Sequence, residues 1–138
     1  MAGDQPMHDH NSTEQQIDDA AVKRYFDDAR GATATSVSMM AHEHNLPASA
    51  ARYRLHKEIR TIRDWLNAVD DSGRVLDVGC GAGTWGEIFA RRYKTVIGIE
   101  QSSLMLKAAR ERLARLPNVK ILKGDGRHDL PKGSFDMI

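Results

Sequence analysis

The stretch Val75–Trp85 reads VLDVGCGAGTW: an apolar run gives way to three glycines at alternate positions, Gly79, Gly81 and Gly83, and one carboxylate, Asp77, lies inside the run. An apolar run ending in a glycine-rich turn, with a helical pattern behind it, opens a strand–turn–helix unit. Such turns generally cradle an anion, so an acid within one needs a reason. Working outward, further short apolar runs occur at Val96–Ile99, Val119–Leu122 and Phe135–Ile138. None alternates with polar residues, as expected of strands covered on both faces. Thr84–Tyr93, between the first two runs, carries Trp85 and Phe89 four apart. Ser102–Leu116, between the second and third, sets Leu106, Ala109, Leu113 and Leu116 on one face. Ser102 is placed to cap that helix and Pro117 follows its end. Lys123–Ser134 has no helical period and reads as a loop. Strand, helix, strand, helix, strand predicts right-handed βαβ crossovers and a doubly wound, mostly parallel α/β sheet.

Upstream the texture is helical. Residues 1–16 are polar, with two His and no Lys or Arg, and read as a disordered tail. Ile17, Ala21, Val22, Tyr25, Phe26 and Ala29 recur at helical spacing until Gly31 interrupts them. A second helix is expected over Ser49–Val69, where Leu55, Ile59, Ile62, Leu66 and Val69 form one apolar stripe. Arg52, Arg54, Lys57, Arg60 and Arg63 surround that stripe, and Asp71-Ser72-Gly73 ends it with turn chemistry. No internal repeat is present.

Composition narrows the partners. The 138 residues suffice for one domain, and 41% apolar with 28% charged residues is the balance of a soluble globular protein. Lys plus Arg (20) nearly cancels Asp plus Glu (19), so the net charge of +1 gives no bulk drive toward nucleic acid or membrane. No apolar run approaches the roughly 20 residues that span a bilayer. The acidic, polar N-terminus reads as neither a secretory signal nor a transit peptide. Cys80 is the sole cysteine, so no internal disulfide forms, which fits a reducing cytoplasm. It reads as a small packing residue rather than a nucleophile. His42 and His44 stand two apart, about 200° around a helix, and His8 and His10 lie in the tail, so no metal site is expected.

In open parallel sheets a ligand sits past the carboxyl ends of the strands, where the strand order reverses. The first strand-to-helix turn is therefore the expected site: its glycines let a ligand touch the backbone, and the helix from Thr84 aims N–H groups at it. Two ligand classes use this arrangement. For a dinucleotide such as NAD, Gly81-Ala82-Gly83-Thr84-Trp85-Gly86 spells GxGxxG, with Glu100 19 residues beyond Gly81 as the ribose acid. That reading puts Gly79 and Cys80 at a strand end and Asp77 close to a pyrophosphate. Like charges about 5 Å apart cost on the order of 3 kcal/mol at an effective dielectric of 20. S-adenosylmethionine carries an ammonium, a sulfonium, a carboxylate and two ribose hydroxyls, but no phosphate. Asp77 can then face the cationic methionine end, and Glu100 can accept from both ribose hydroxyls.

Four segments in order resemble the class I S-adenosylmethionine-dependent methyltransferases. VLDVGCGAGTW is similar to the family's first motif, and VIGIEQSSLMLKAAR (Val96–Arg110) to its second strand, ribose-binding acid and following helix. LKGDGRHDLP (Leu122–Pro131) resembles the acidic loop after strand three, and GSFDMI (Gly133–Ile138) the start of strand four. The resemblance implies a Rossmann-like fold of the class I methyltransferase type, truncated after strand four and preceded by N-terminal helices. It divides the chain into the tail (1–16), a helical lid or cap (17–73) and the N-terminal half of the cofactor-binding domain (74–138). It implies that Asp77, Gly79, Gly81 and Gly83, with Cys80 among them, line the methionine end. Glu100 holds the ribose, Gln101 flanks the adenosine, and Asp125 contacts the adenine amino group with the Gly126 amide nearby. VKRYFDDA, with Tyr25 and Phe26, resembles an aromatic helix that covers the pocket in small-molecule members.

The implied reaction is in-line displacement of a methyl group from sulfonium. No residue is assigned as catalytic. DLPKGSFD (Asp129–Asp136) resembles the small-molecule branch, so the expected partner is a small-molecule methyl acceptor, with RNA or protein as the alternative acceptor. The Arg and Lys side chains of residues 52–63 are the feature that favours RNA. An NAD-dependent oxidoreductase and a non-catalytic cofactor-binding module are the other readings. The family's sheet is longer than the strands counted here, so the chain is expected to be part of a larger protein, poorly active and aggregation-prone alone.

Overall fold

The computed structural model describes residues 18–27 and 47–138. The expected tail, Gly31, and the pairs His8/His10 and His42/His44 lie outside those residues. The described elements run α1 (Asp19–Asp27), α2 (Ala48–Thr61), α3 (Arg63–Ala68), β1 (Arg74–Val78), α4 (Thr84–Ala90), β2 (Thr95–Glu100), α5 (Ser103–Leu113) and β3 (Val119–Lys123). The three strands are parallel in the order β1-β2-β3. On the other side of β1, Met137 makes a parallel bridge to Val75, with Leu76 N–H donating to the Met137 carbonyl at 3.0 Å. The run expected as strand four thus enters the sheet through one bridge rather than as a strand. Its position gives the order β3-β2-β1-Met137, which reverses at β1.

The strands form where apolar runs can be covered on both faces. Val75, Leu76, Val96, Ile97 and Ile99 are all buried, and Leu76, Ile97 and Ile99 pack with Leu122 and Phe135. Burying one such side chain stabilises by roughly 1.5–3 kcal/mol. α5 buries Met105, Leu106, Ala108, Ala109 and Leu113, and Ser102 caps it by accepting from Met105 N–H at 3.3 Å. The Tyr93 hydroxyl donates to the Leu66 carbonyl at 2.8 Å and holds α3 to the turn before β2.

The single helix expected over Ser49–Val69 is broken. α2 ends at Thr61, and Ile62 (φ −96°, ψ 11°) joins it to α3. The Thr61 hydroxyl donates to the Lys57 carbonyl at 2.9 Å, a back-bond that bends helices. Asp18 caps α1 by accepting from Ala20 and Ala21 N–H at 3.0 and 3.1 Å. Among the described residues no helix is long and apolar enough to cross a membrane.

Candidate functional site

The carboxyl ends of β1, β2 and β3 meet at a cavity of about 470 Å³, beside the strand where the order reverses. Its floor is the turn after β1, which adopts positive φ at Gly79 (74°) and Gly81 (53°). A Cβ at either glycine would meet nothing within 4 Å, so the backbone is open there. The turn is held to β2: the Ile99 carbonyl accepts from Gly79 N–H at 2.9 Å and Cys80 N–H at 3.0 Å. Gly81 N–H donates to Glu100 Oε2 at 2.9 Å, and Ser102 N–H donates to Glu100 Oε1 at 2.8 Å. Three successive turn amides are therefore committed within the protein. Glu100 is buried, yet each of its oxygens keeps a lone pair beyond the bond it accepts.

Six of the nine residues expected at the site line this cavity: Gly79, Cys80, Gly81, Glu100, Gln101 and Asp125. Asp77, Gly83 and Gly126 are not part of the wall. Asp77 sits on β1 opposite Gly98, and its Oδ2 is buried with no hydrogen-bond partner among the described residues. Burial, and then the charge of Glu100, push its carboxyl up to about 6. Burial also pushes the Cys80 thiol up to about 12, with Asp77 and Glu100 adding to the shift, so the sulfur stays neutral and unreactive. Gly83 has a packing role: a Cβ there would come within 2.8 Å of Leu113 Cδ1 on α5.

Asp125 lines the cavity while closing its own turn. Its Oδ1 accepts from Arg127 and His128 N–H at 2.8 and 2.9 Å, and its Oδ2 lies 2.7 Å from His128 Nδ1. The His128 and Arg127 amides and the His128 ring hold the Asp125 carboxyl well below the usual carboxylate range. The imidazole is raised in turn by Asp125.

The wall opposite the turn is α2, through Ala51, Arg54, Leu55 and Glu58. This set follows the i, i+3, i+4, i+7 spacing of one helix face, a signal present in the sequence but masked by the longer apolar stripe. Arg54 Nε pairs with Glu58 Oε1 at 2.9 Å. Tyr53, His56, Lys57 and Arg60 line a separate groove on the other side of the helix. Much of the basic fringe therefore points away from the cavity. Tyr25 is half-exposed and not part of the cavity wall; the side chain of Phe26 lies outside the described features. Among the described residues, no three His, Cys, Asp or Glu side chains gather as a metal ion requires.

A parallel sheet with its order reversing at β1, an open glycine turn and a buried acid ending β2 defines a nucleoside-binding α/β domain. The methyltransferase-domain family model matches residues 75–138. Trans-aconitate 2-methyltransferase of Afipia carboxidovorans is 33% identical over 96 residues, covering 65% of this chain and 36% of that protein. Protein-L-isoaspartate O-methyltransferase of Nitrobacter winogradskyi is 39% identical over 72 residues, covering 49% of this chain and 33% of that protein. The structure of S-adenosylmethionine-bound CalS10, an amino pentose methyltransferase from Micromonospora echinaspora involved in calicheamicin biosynthesis, matches with a TM-score of 0.51. It is 36% identical, over 67% of this chain and 42% of that one. Over residues 75–138 the chain matches the class I S-adenosylmethionine-dependent methyltransferases. It spans about a third of the length of the curated relatives it matches.

Proposed function

We propose that the cavity at the strand ends holds S-adenosylmethionine and that the protein transfers its methyl group to a small-molecule acceptor in the cytoplasm. The observation that carries this reading is the buried, partnerless Asp77 oxygen next to Glu100. A phosphate there would face two carboxylates, whereas a cationic methionine end supplies what they lack. The commitment of the Gly79, Cys80 and Gly81 amides to β2 and Glu100 argues the same way, because a pyrophosphate needs such donors.

The residues fit the cofactor in chemical terms. Asp77, behind the wall, lends negative charge to the ammonium and sulfonium end; Gly79 and Gly81 let the ligand lie against the backbone; the remaining Glu100 lone pairs accept from the ribose hydroxyls. Gln101 flanks the adenosine, and Asp125 Oδ2 keeps one lone pair for the adenine amino group, with the Gly126 amide close by. When bound, the cofactor supplies a methyl group already activated on a positive sulfur. The part of this chain is to align that methyl group with the acceptor and to keep water out, which can contribute roughly 7–11 kcal/mol in well-oriented reactions.

A small-molecule acceptor is supported by the likeness to trans-aconitate 2-methyltransferase and to an amino pentose methyltransferase. The outward-facing basic side of α2 agrees, since Tyr53, His56, Lys57 and Arg60 do not line the cavity. The lone buried thiol fits a reducing compartment. Calorimetric titration with S-adenosylhomocysteine and, separately, NADH tests the reading. Saturable one-site binding of the former and none of the latter is expected; tight NADH binding without adenosylhomocysteine binding would overturn it.

A further inference from the structure

Asp27, the last residue of α1, lies far upstream of the family match yet makes direct contact with the strand-end loop. Its Oδ1 accepts from Ser102 Oγ at 2.7 Å and from Ser103 N–H at 3.0 Å. Ser102 is completely buried and has two further duties. Its hydroxyl oxygen accepts from Met105 N–H, and its own N–H donates to Glu100 Oε1 at 2.8 Å. A hydroxyl has one proton and must choose where to point it. A carboxylate at that position receives the proton and leaves a lone pair aimed at Met105. Asp27 is itself held by Lys23, and with Ser102 this contact draws its carboxyl down to about 2. It is therefore charged at neutral pH, at the end of α5 where a negative charge is favoured. Glu100 is gripped on one oxygen by the glycine turn and on the other by a serine that Asp27 orients.

We infer that Asp27 is a positioning residue for the cavity: acting through Ser102, it sets the Glu100 carboxylate in the orientation that receives the ribose. The inference rests on the reading of the cavity as an adenosyl site. It gives α1 a role in ligand binding although no described α1 side chain lines the wall.

A double-mutant cycle on the full chain tests it, with the affinity for S-adenosylhomocysteine as readout and thermal melting as the check on folding. Asp27→Ala should weaken binding about tenfold when Glu100 is present and by less than about twofold in the Glu100→Ala background. Asp27→Asn, which keeps an acceptor oxygen, should restore most of the loss and serves where the alanine variant melts too low. A purely structural Asp27 would lower the melting temperature and weaken binding equally in both backgrounds; that additive result, or unchanged affinity in Asp27→Ala, overturns the inference while leaving the adenosyl site standing. Failure of the unaltered chain to bind adenosylhomocysteine overturns the site itself, and the inference with it.

Discussion

Asp77 is held where its charge is disfavoured, with its carboxyl moved from 3.8 up to about 6. The sign of the consequence follows from linkage. Between those pH values the folded chain keeps a proton that the unfolded chain has released, so the contribution of this carboxyl to stability is complete below about pH 4 and is lost as pH rises through 6. The loss attributable to this carboxyl is about 3 kcal/mol. Asp77→Asn should remove that part of the slope, leaving a flatter profile than the parent in urea denaturation between about pH 4 and 7. The glycines after Asp77 differ among themselves. At Gly83 an added methyl meets Leu113 and Ala109 at φ 81°, so Gly83→Ala should cost about 1–3 kcal/mol in chemical denaturation. The sequence presents Gly79, Gly81 and Gly83 as equivalent members of one motif. What separates them is contact with α5, some 30 residues downstream, and spacing carries no trace of that contact.

At the scale of elements, the strands were the most legible because each centres on a short run rich in Val, Ile and Leu: β1, β2 and β3 each begin and end within a residue of expectation, although only β2 is almost wholly buried. The Ser102 cap was equally legible, since its side-chain oxygen serves a backbone amide three residues away. Less could be read where distant contacts decide. The stripe from Leu55 to Val69 gave no sign of the break at Ile62, because Thr61 acts through a backbone carbonyl rather than through hydrophobic spacing. Nor did it single out the Ala51–Glu58 face, which becomes a cavity wall only once β1 and β2 lie opposite it. The buried Tyr93 phenol, with Arg92 donating to Asn67 Oδ1 at 2.7 Å beside it, joins α3 to the turn before β2. Tyr93→Phe removes the donor to the Leu66 carbonyl and should lower stability by about 1 kcal/mol in the same denaturation assay, leaving ligand affinity unchanged.

For the molecule as a whole, the cavity wall joins parts of unequal anchorage. β2 lies between two strands with its residues almost wholly buried, whereas α2 is mostly exposed and buries only Ala51 completely. A ligand spanning the two should steady the weaker. With adenosylhomocysteine at about 100 times its dissociation constant, amides of α2 should exchange up to about a hundredfold more slowly, while those of β2 change little. Equal effects on both elements would place the ligand elsewhere. The cavity is also predominantly acidic: Glu58, Glu100 and Asp125 line it, Asp77 stands behind them, and Arg54, paired with Glu58, is the wall's only Lys or Arg among the described residues. Its selectivity for a cationic guest can be read directly by titrating adenosylhomocysteine, whose ammonium group stays charged, across a pH series from about 5 to 8. Affinity should rise as pH climbs through about 6 and then level off, and Asp77→Asn should bind more weakly with that rise abolished. A parent profile that is flat through this range, or one the asparagine variant reproduces, would contradict the account.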